Sequence, residues 1–139
     1  MSKIAILTDS SCDIPQEIAE KYGIDLLSFH ILLDDVDYVE RVDCTNTEFY
    51  DKMLAAKGVP STAAITPIQF CEKYCQYVDE GYTDVIHVPI NKSGSSTYNN
   101  ALMAQGMLRE ERPEHHLRIH LLDPHTYSMP FGWYVCEMA

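Results

Sequence analysis

The sequence predicts an α/β fold, a mostly parallel, doubly wound sheet flanked by helices. Three observations predict it. Apolar strand-like runs at residues 3–7, 25–33, 84–90 and 117–122 alternate with stretches of helical period, the pattern of repeated strand–helix–strand units. Hydroxyl-rich segments stand between these elements: Thr8-Asp9-Ser10-Ser11, Ser61-Thr62-Ala63-Ala64-Ile65-Thr66-Pro67 and Ser93-Gly94-Ser95-Ser96-Thr97-Tyr98. The first and third directly follow strand-like runs, and in an open α/β sheet the loops at the carboxyl ends of strands converge on one crevice. Glycine and proline mark the breaks, with Gly23, Gly81 and Pro113 each placed where a helix should stop.

Taken in order, residues 3–7 form a short buried strand. Asp13 is placed to cap the next helix, with Pro15 in its first turn and Gln16 at the reciprocal capping position. That helix covers 15–22, and Gly23 ends it. Residues 25–33 form a second strand, 34–37 a turn, and 38–42 a short returning strand. Thr45-Asn46-Thr47-Glu48 has capping-box spacing, so a helix runs over 46–56 and buries Phe49, Tyr50, Met53 and Leu54. Residues 57–66 are a loop, and Pro67 starts a helix that continues to Asp79. A strand follows over 84–90. The next helix, 95–110, carries Ala101, Ala104 and Leu108 on one face, with Met103 and Met107 beside it. Residues 117–122 are the last strand, and a final helix starts near Met129. Its segment Phe131-Gly132-Trp133-Tyr134-Val135-Cys136 is apolar all round, as in a helix buried between two bodies. One α/β domain is therefore expected over 1–139, cut before a second C-terminal domain or partnered by another subunit.

Composition narrows the function. With 139 residues and 46% hydrophobic content, the chain suits one globular domain. A formal net charge of −11 makes nucleic acid and anionic membrane surfaces poor partners. No run approaches the ~20 apolar residues of a transmembrane helix, and Met1-Ser2-Lys3 leads straight into Ile4 without a secretory apolar region. A cytoplasmic location is expected. Five cysteines without such a signal argue against a disulfide framework. Cys71 and Cys75, four apart, share a helix face, and a core role is favoured over metal ligation or redox work.

The hydroxyl loops carry the chemistry. Ser95, Ser96 and Thr97 open a helix whose first amides lack partners and whose dipole places partial positive charge there, so they make a small anion cradle. The plainer alternative is that Ser93 or Ser95 caps the helix. The phosphate-loop, dinucleotide and nucleophile-elbow glycine patterns are all missing. Asp9 sits where a nucleophilic or metal-binding aspartate could, although ordering the neighbouring loops is the simpler role. His125, after Asp123-Pro124, is the histidine best placed near a ligand. His115 and His116 read as a solvated pair rather than a metal site, and His30 and His87 read as core.

Four segments, in order, resemble the DegV family of bacterial lipid-binding proteins. Residues Thr8-Asp9-Ser10-Ser11-Cys12-Asp13-Ile14-Pro15 look like its Thr-Asp-Ser-Ser-x-Asp-Leu-Pro opening. Thr62-Ala63-Ala64-Ile65-Thr66-Pro67-Ile68-Gln69-Phe70 is similar to its Thr-Ser-Gln-Pro-Ser-Pro-x-x-Phe stretch. Ser95-Ser96-Thr97-Tyr98-Asn99-Asn100-Ala101 looks like Ser-Gly-Thr-Tyr-x-x-Ala, and Leu122-Asp123-Pro124 onward resembles the segment beginning Asp-Ser. Ser96 replaces that glycine, leaving a ligand less room at the backbone. Ala63 and Ile65 replace a serine and a proline, and Pro124 and Pro130 replace a serine and a glycine.

The resemblance implies an N-terminal DegV-like domain that holds a long-chain fatty acid by its carboxylate and presents it to a fatty acid kinase. It implies that Thr62 and Ser95 grip the carboxylate. Ser96, Thr97, Ser10 and Ser11 are the further ligand-binding candidates. No catalytic residue, cofactor or metal is expected, and a homodimer through the C-terminal apolar face around Phe131, Trp133 and Val135 is an open option. The rival reading is a small α/β hydrolase or phosphatase acting on an anionic metabolite, with Asp9 and His125 as acid–base candidates.

Overall fold

A computed structural model describes residues 2–139. Four strands build a parallel sheet in the order β2-β1-β6-β7: β1 (Ile4–Asp9), β2 (Ile24–Leu27), β6 (Asp84–Val88) and β7 (Arg118–Leu121). Five α-helices accompany it: α1 (Gln16–Tyr22), α2 (Asn46–Ala55), α3 (Pro67–Asp79), α4 (Thr97–Glu111) and α5 (Met129–Met138). The alternating side chains of β1 explain the two covered faces. Ala5 and Leu7 join Phe70, Tyr74, Ala101 and Leu108 on the α3–α4 side, while Ile6 joins Ile14, Ala19, Phe131 and Val135 on the α1–α5 side. Each fully buried large side chain in these clusters contributes about 1.5–3 kcal/mol.

A second sheet was absent from the expectations. The apolar run 25–33 is not one strand. It divides into β2 and β3 (His30–Leu33), and β3 belongs to a three-stranded antiparallel sheet ordered β4-β3-β5, with β4 (Val36–Val39) and β5 (Ser61–Ala63). Phe29 makes the break. Its side chain is buried, its amide donates to Ser10 Oγ at 3.0 Å, and its carbonyl accepts from the Glu40 amide at 2.9 Å. Asp34 and Asp35 both take positive φ, 47° and 65°, in the tight turn between β3 and β4, as two-residue hairpins of this hand require. The Asp34 carboxylate accepts the Lys57 and Gly58 amides at 2.9 Å each, which swings the 57–66 stretch back so that β5 pairs with β3.

Local signals held where they are local. Thr45 and Glu48 form the expected capping box, Thr66 and Gln69 form a second one, and Gly23 and Gly81 take positive φ beyond their helices. Other expectations fail. Asp13 does not cap α1: it adopts φ 55° after the 3-10 turn Ser10–Cys12 and accepts the Ser128 hydroxyl instead, leaving Pro15 at the helix start. Nor is α2 buried. Tyr50 and Leu54 are exposed, Met53 is just over a third exposed, and Phe49 is half-buried, edge-on to Tyr38 with ring centres 6.0 Å apart. The helix leans on a thin hairpin, with no second layer over it. In α5, Phe131, Gly132 and Val135 are buried, but Trp133 and Tyr134 are exposed, so only one side of this helix is covered.

His87 is fully buried, as expected. Tyr74 Oη lies 2.7 Å from its Nδ1, and burial holds the imidazole neutral with its pKa down at about 3. His30 departs from the core reading. It is half-exposed on β3, with Nδ1 2.9 Å from Asp37 Oδ2. Among the described residues, no helix is long and apolar enough to cross a membrane.

Candidate functional site

The first hydroxyl loop leaves the carboxyl end of β1 and is largely turned on itself. Thr8 Oγ1 donates to the Val88 carbonyl at 2.7 Å. Ser10 is buried, donates to the Glu40 carboxylate and accepts the Phe29 amide. Ser11, half-buried, gives both its amide (3.1 Å) and its hydroxyl (2.5 Å) to Asp9 Oδ1. Asp9 Oδ2 accepts the Ile90 amide at 2.7 Å. Asp9 thus ties the end of β1 to the loop that leaves β6, the ordering role the sequence favoured. Burial pushes its pKa up to about 6, Glu40 adds to the rise, and the bonds from Ser11 and Ile90 oppose it. The Asp9 side chain is fully buried.

The third loop begins with Asn91, whose Oδ1 accepts the Ser93 amide at 2.9 Å in a local side-chain turn. Gly94 packs directly beneath the Tyr127 ring, where a Cβ would stand 2.2 Å from its hydroxyl. Lys92 reaches Asp123, which also accepts the His125 amide at 3.1 Å, so the loops after β6 and β7 are joined. Ser95 Oγ is 2.9 Å from Thr97 Oγ1 and accepts the Thr97 amide at 3.2 Å. Thr97 is buried, Ser95 half-buried and Ser96 exposed. Ser96 is the residue at the N-cap of α4 and makes no side-chain capping bond, while Ser95, partly exposed just before it, holds the Thr97 amide in a local turn. His125 is exposed, with Nδ1 3.4 Å from Asp123 Oδ2.

The second hydroxyl segment is not a loop throughout. Thr62 lies on the edge strand β5, exposed, paired with Ile31 of β3, which in turn faces Tyr38 of β4. Side chains directly opposite one another in an antiparallel ladder share a face, so Thr62, Ile31 and Tyr38 form one row. Ile31 and Tyr38 also line a cavity of about 180 Å³ between the hairpin and α2, with Phe49, Tyr50 and Arg41 on its walls. Arg41 Nη2 donates to the Ile14 carbonyl at 2.6 Å, its Nη1 is buried without a hydrogen-bond partner, and Asp13 and Glu40 line the same cavity.

Two side-chain bonds link the three segments, although the cavity beside the hairpin is lined by none of Ser10, Ser11, Thr62, Ser95, Ser96 and Thr97. Asp9 links the first to the third, and Asn100 Nδ2, in the first turn of α4, donates to the Ile65 carbonyl at 2.8 Å, linking the third to the second. Ile65 is buried and pins the second segment just before the Thr66 cap of α3. The importance of Asn100 was not read from the sequence. Its only signal there is its place within the Ser95–Ala101 stretch, since neither helical period nor capping marks it.

The model of the family described as "Uncharacterised protein, DegV family" matches residues 3–139. This chain belongs to the DegV family. A DegV domain-containing protein of Clostridium perfringens is 37% identical over 111 residues, covering 80% of this chain and 39% of that protein. Among solved structures, the fatty acid binding DegV family protein of Streptococcus agalactiae superposes with a TM-score of 0.79 at 30% identity, over 97% of this chain and 46% of that one. The Streptococcus pneumoniae fatty acid kinase B3 protein loaded with linoleic acid shares the fold, with a TM-score of 0.76 at 19% identity over 99% of this chain and 48% of that one. This DegV chain thus spans less than half the length of each of these proteins.

Proposed function

We propose that this DegV chain is the N-terminal domain of a fatty-acid-binding protein, with Thr62 and Ser95 as the donors to the carboxylate. The observation that carries the reading is the row Thr62–Ile31–Tyr38, which sets an exposed hydroxyl beside a cavity walled by Ile31, Tyr38, Phe49 and Tyr50 on one side and by Asp13, Glu40 and Arg41 on the other. Asn100 supports it by fastening the segment that follows Thr62 to the helix that Ser95 opens. The fatty acid binding named for the Streptococcus agalactiae relative agrees with it. Ser96 is an exposed further donor, and Ser11 a half-buried one. Ser10 and Thr97, whose hydroxyls are engaged internally, shape the cradle from behind.

Energetics divide the labour. An acyl tail of ~14 methylenes gains roughly 11 kcal/mol on burial before ordering costs, whereas each hydrogen bond to a charged group adds about 1.5–3 kcal/mol. The tail supplies affinity and the hydroxyls supply orientation. The cavity of about 180 Å³ falls short of the ~300–1,000 Å³ of typical ligand sites, so a long tail needs further walls. A second C-terminal domain would supply them. Neutral donors leave a carboxylate oxygen nucleophilic, which suits a carrier whose cargo a fatty acid kinase phosphorylates.

Thr62→Val and Ser95→Ala in the full-length protein are each expected to weaken palmitate binding about 10- to 100-fold, the loss of one charge-assisted bond; thermal stability should be unchanged in Thr62→Val and fall modestly in Ser95→Ala, which also loses the bond from the Thr97 amide. Fluorescent-probe displacement measures the affinity and native mass spectrometry identifies copurified lipid. Absence of any bound fatty acid, together with no uptake of added palmitate or oleate, would sink the reading. A separate assay with a fatty acid kinase and ATP tests presentation, which should fail in Ser95→Ala even at saturating lipid.

A further inference from the structure

Helices α3 and α4 run side by side in the same direction. Asn100 near the start of α4 meets the residue before α3, and at the other end Arg112 Nη2 lies 3.6 Å from Asp79 Oδ2. Close to that far end, two thiols and a carboxylate meet. Cys71 and Cys75 stack one turn apart on α3, and Glu111 is the last residue of α4. One ligand atom from each lies within 4.8 Å of the other two, and Cys75 Sγ is 3.6 Å from Glu111 Oε2.

We propose that Cys71, Cys75 and Glu111 form a binding site for a borderline-soft divalent cation of the Zn²⁺ class that braces α3 to α4 and keeps one position open to water. The donor set is that of such ions, thiolate sulfur at ~2.3 Å and carboxylate oxygen at ~2.0–2.2 Å from the metal. Those bond lengths put the ligand atoms of a tetrahedral ion roughly 3.5–3.8 Å apart, so the existing triangle closes on an ion with rotamer-scale adjustment. The thiols are buried while Glu111 is exposed, which gives an ion an entry path from solvent to sulfur. A dication that binds here displaces the protons of both thiols to solvent. The aligned carbonyls at the end of α4 add partial negative charge, and Arg112 is the cation that opposes it. Sequence spacing alone pointed to a packing role because the third ligand lies 36 positions from Cys75.

The test is a Co²⁺ titration of the reduced, intact protein, followed by competition with Zn²⁺. One equivalent should produce a sulfur-to-metal charge-transfer band and the visible bands of tetrahedral coordination, both removed by Zn²⁺. Cys71→Ser and Cys75→Ser should each weaken binding by about 100-fold or more, and Glu111→Gln by about 10-fold with the charge-transfer band retained. Glu111→Gln alters an exposed side chain, so its result stands even where a cysteine variant folds poorly. A charge-transfer band that survives the Cys71→Ser/Cys75→Ser double variant, or that vanishes when only Cys44 and Cys136 are replaced, overturns the proposal. So does a titration to millimolar Co²⁺ with no such band.

Discussion

Alanine at position 132 is expected to destabilise the protein by about 2–4 kcal/mol. Gly132 lies on the buried side of α5, where a Cβ would stand 2.3 Å from the Cys12 carbonyl oxygen and 3.0 Å from Ile14 Cγ1. The first of these is backbone, held within the 3-10 turn after β1, so it cannot swing aside as a side-chain tip would. Removing a helix-interior glycine would by itself favour the helix by ~1 kcal/mol. Overpacking costs about 1–3 kcal/mol and occasionally more, and if α5 lifts away, the burial of Phe131 and Val135 is lost at about 1.5–3 kcal/mol each. The clash outweighs the propensity gain. Gly106 is the control: it is exposed on α4 and a Cβ there meets nothing within 4 Å, so the same substitution should stabilise by up to ~1 kcal/mol. Urea denaturation of both variants checks the pair. Equal effects of the same sign would refute the packing account. Because the 3-10 turn carries Ser10 and Ser11, Gly132→Ala should also disturb the first hydroxyl loop, seen as amide shifts at Ser11 and Ile90.

The second large effect is a stability that depends on the protonation of Asp9. Its pKa rises from 3.8 to about 6, chiefly because burial disfavours the carboxylate. Between those values the native state holds a proton that the unfolded chain has released, so stability falls as pH rises. The penalty is absent below about pH 4, grows through pH 5, and is complete above about pH 6, where it amounts to roughly 3 kcal/mol. Other carboxylates act in the opposite sense. Asp84 is held well below the usual range by Arg118 and His120, and contributes stability that is lost on acidification. The contribution of Asp9 is therefore isolated by difference. Asp9→Asn removes the titration and, having a single acceptor oxygen, adds a pH-independent loss of one of the bonds to Ser11 or Ile90. From pH 4 to pH 7 the wild type should lose about 2–2.5 kcal/mol relative to this variant in urea denaturation. Parallel curves would show that Asp9 titrates as an ordinary aspartate.

Legibility followed the reach of the interaction. Capping signals at Thr45 and Glu48, Pro67 at a helix start and Gly23 after a helix end are satisfied within four residues, and each was readable. Asp13 misled because a capping side chain competes with any other donor nearby, and Ser128, 115 positions away, takes it. Cys71 and Cys75 were readable as buried, but not as neighbours of Glu111. Thr62 and Ser95 were singled out only through resemblance, and the bond that joins their segments, Asn100 to Ile65, spans 35 positions and leaves no periodic trace.

By itself, the order of residues determined the alternation of strands and helices, the parallel sheet and the ends of most helices, since backbone geometry and nearest-turn hydrogen bonds are set within a few residues. Only the tertiary structure decided that 25–33 would divide at Phe29 between two sheets, that Ser61–Ala63 would become an edge strand, and that α2 would keep its apolar side in the open. Those outcomes depend on which distant surfaces arrive to bury an apolar face or accept a hydrogen bond, and apolar residues of identical local pattern are covered or exposed according to that arrival alone.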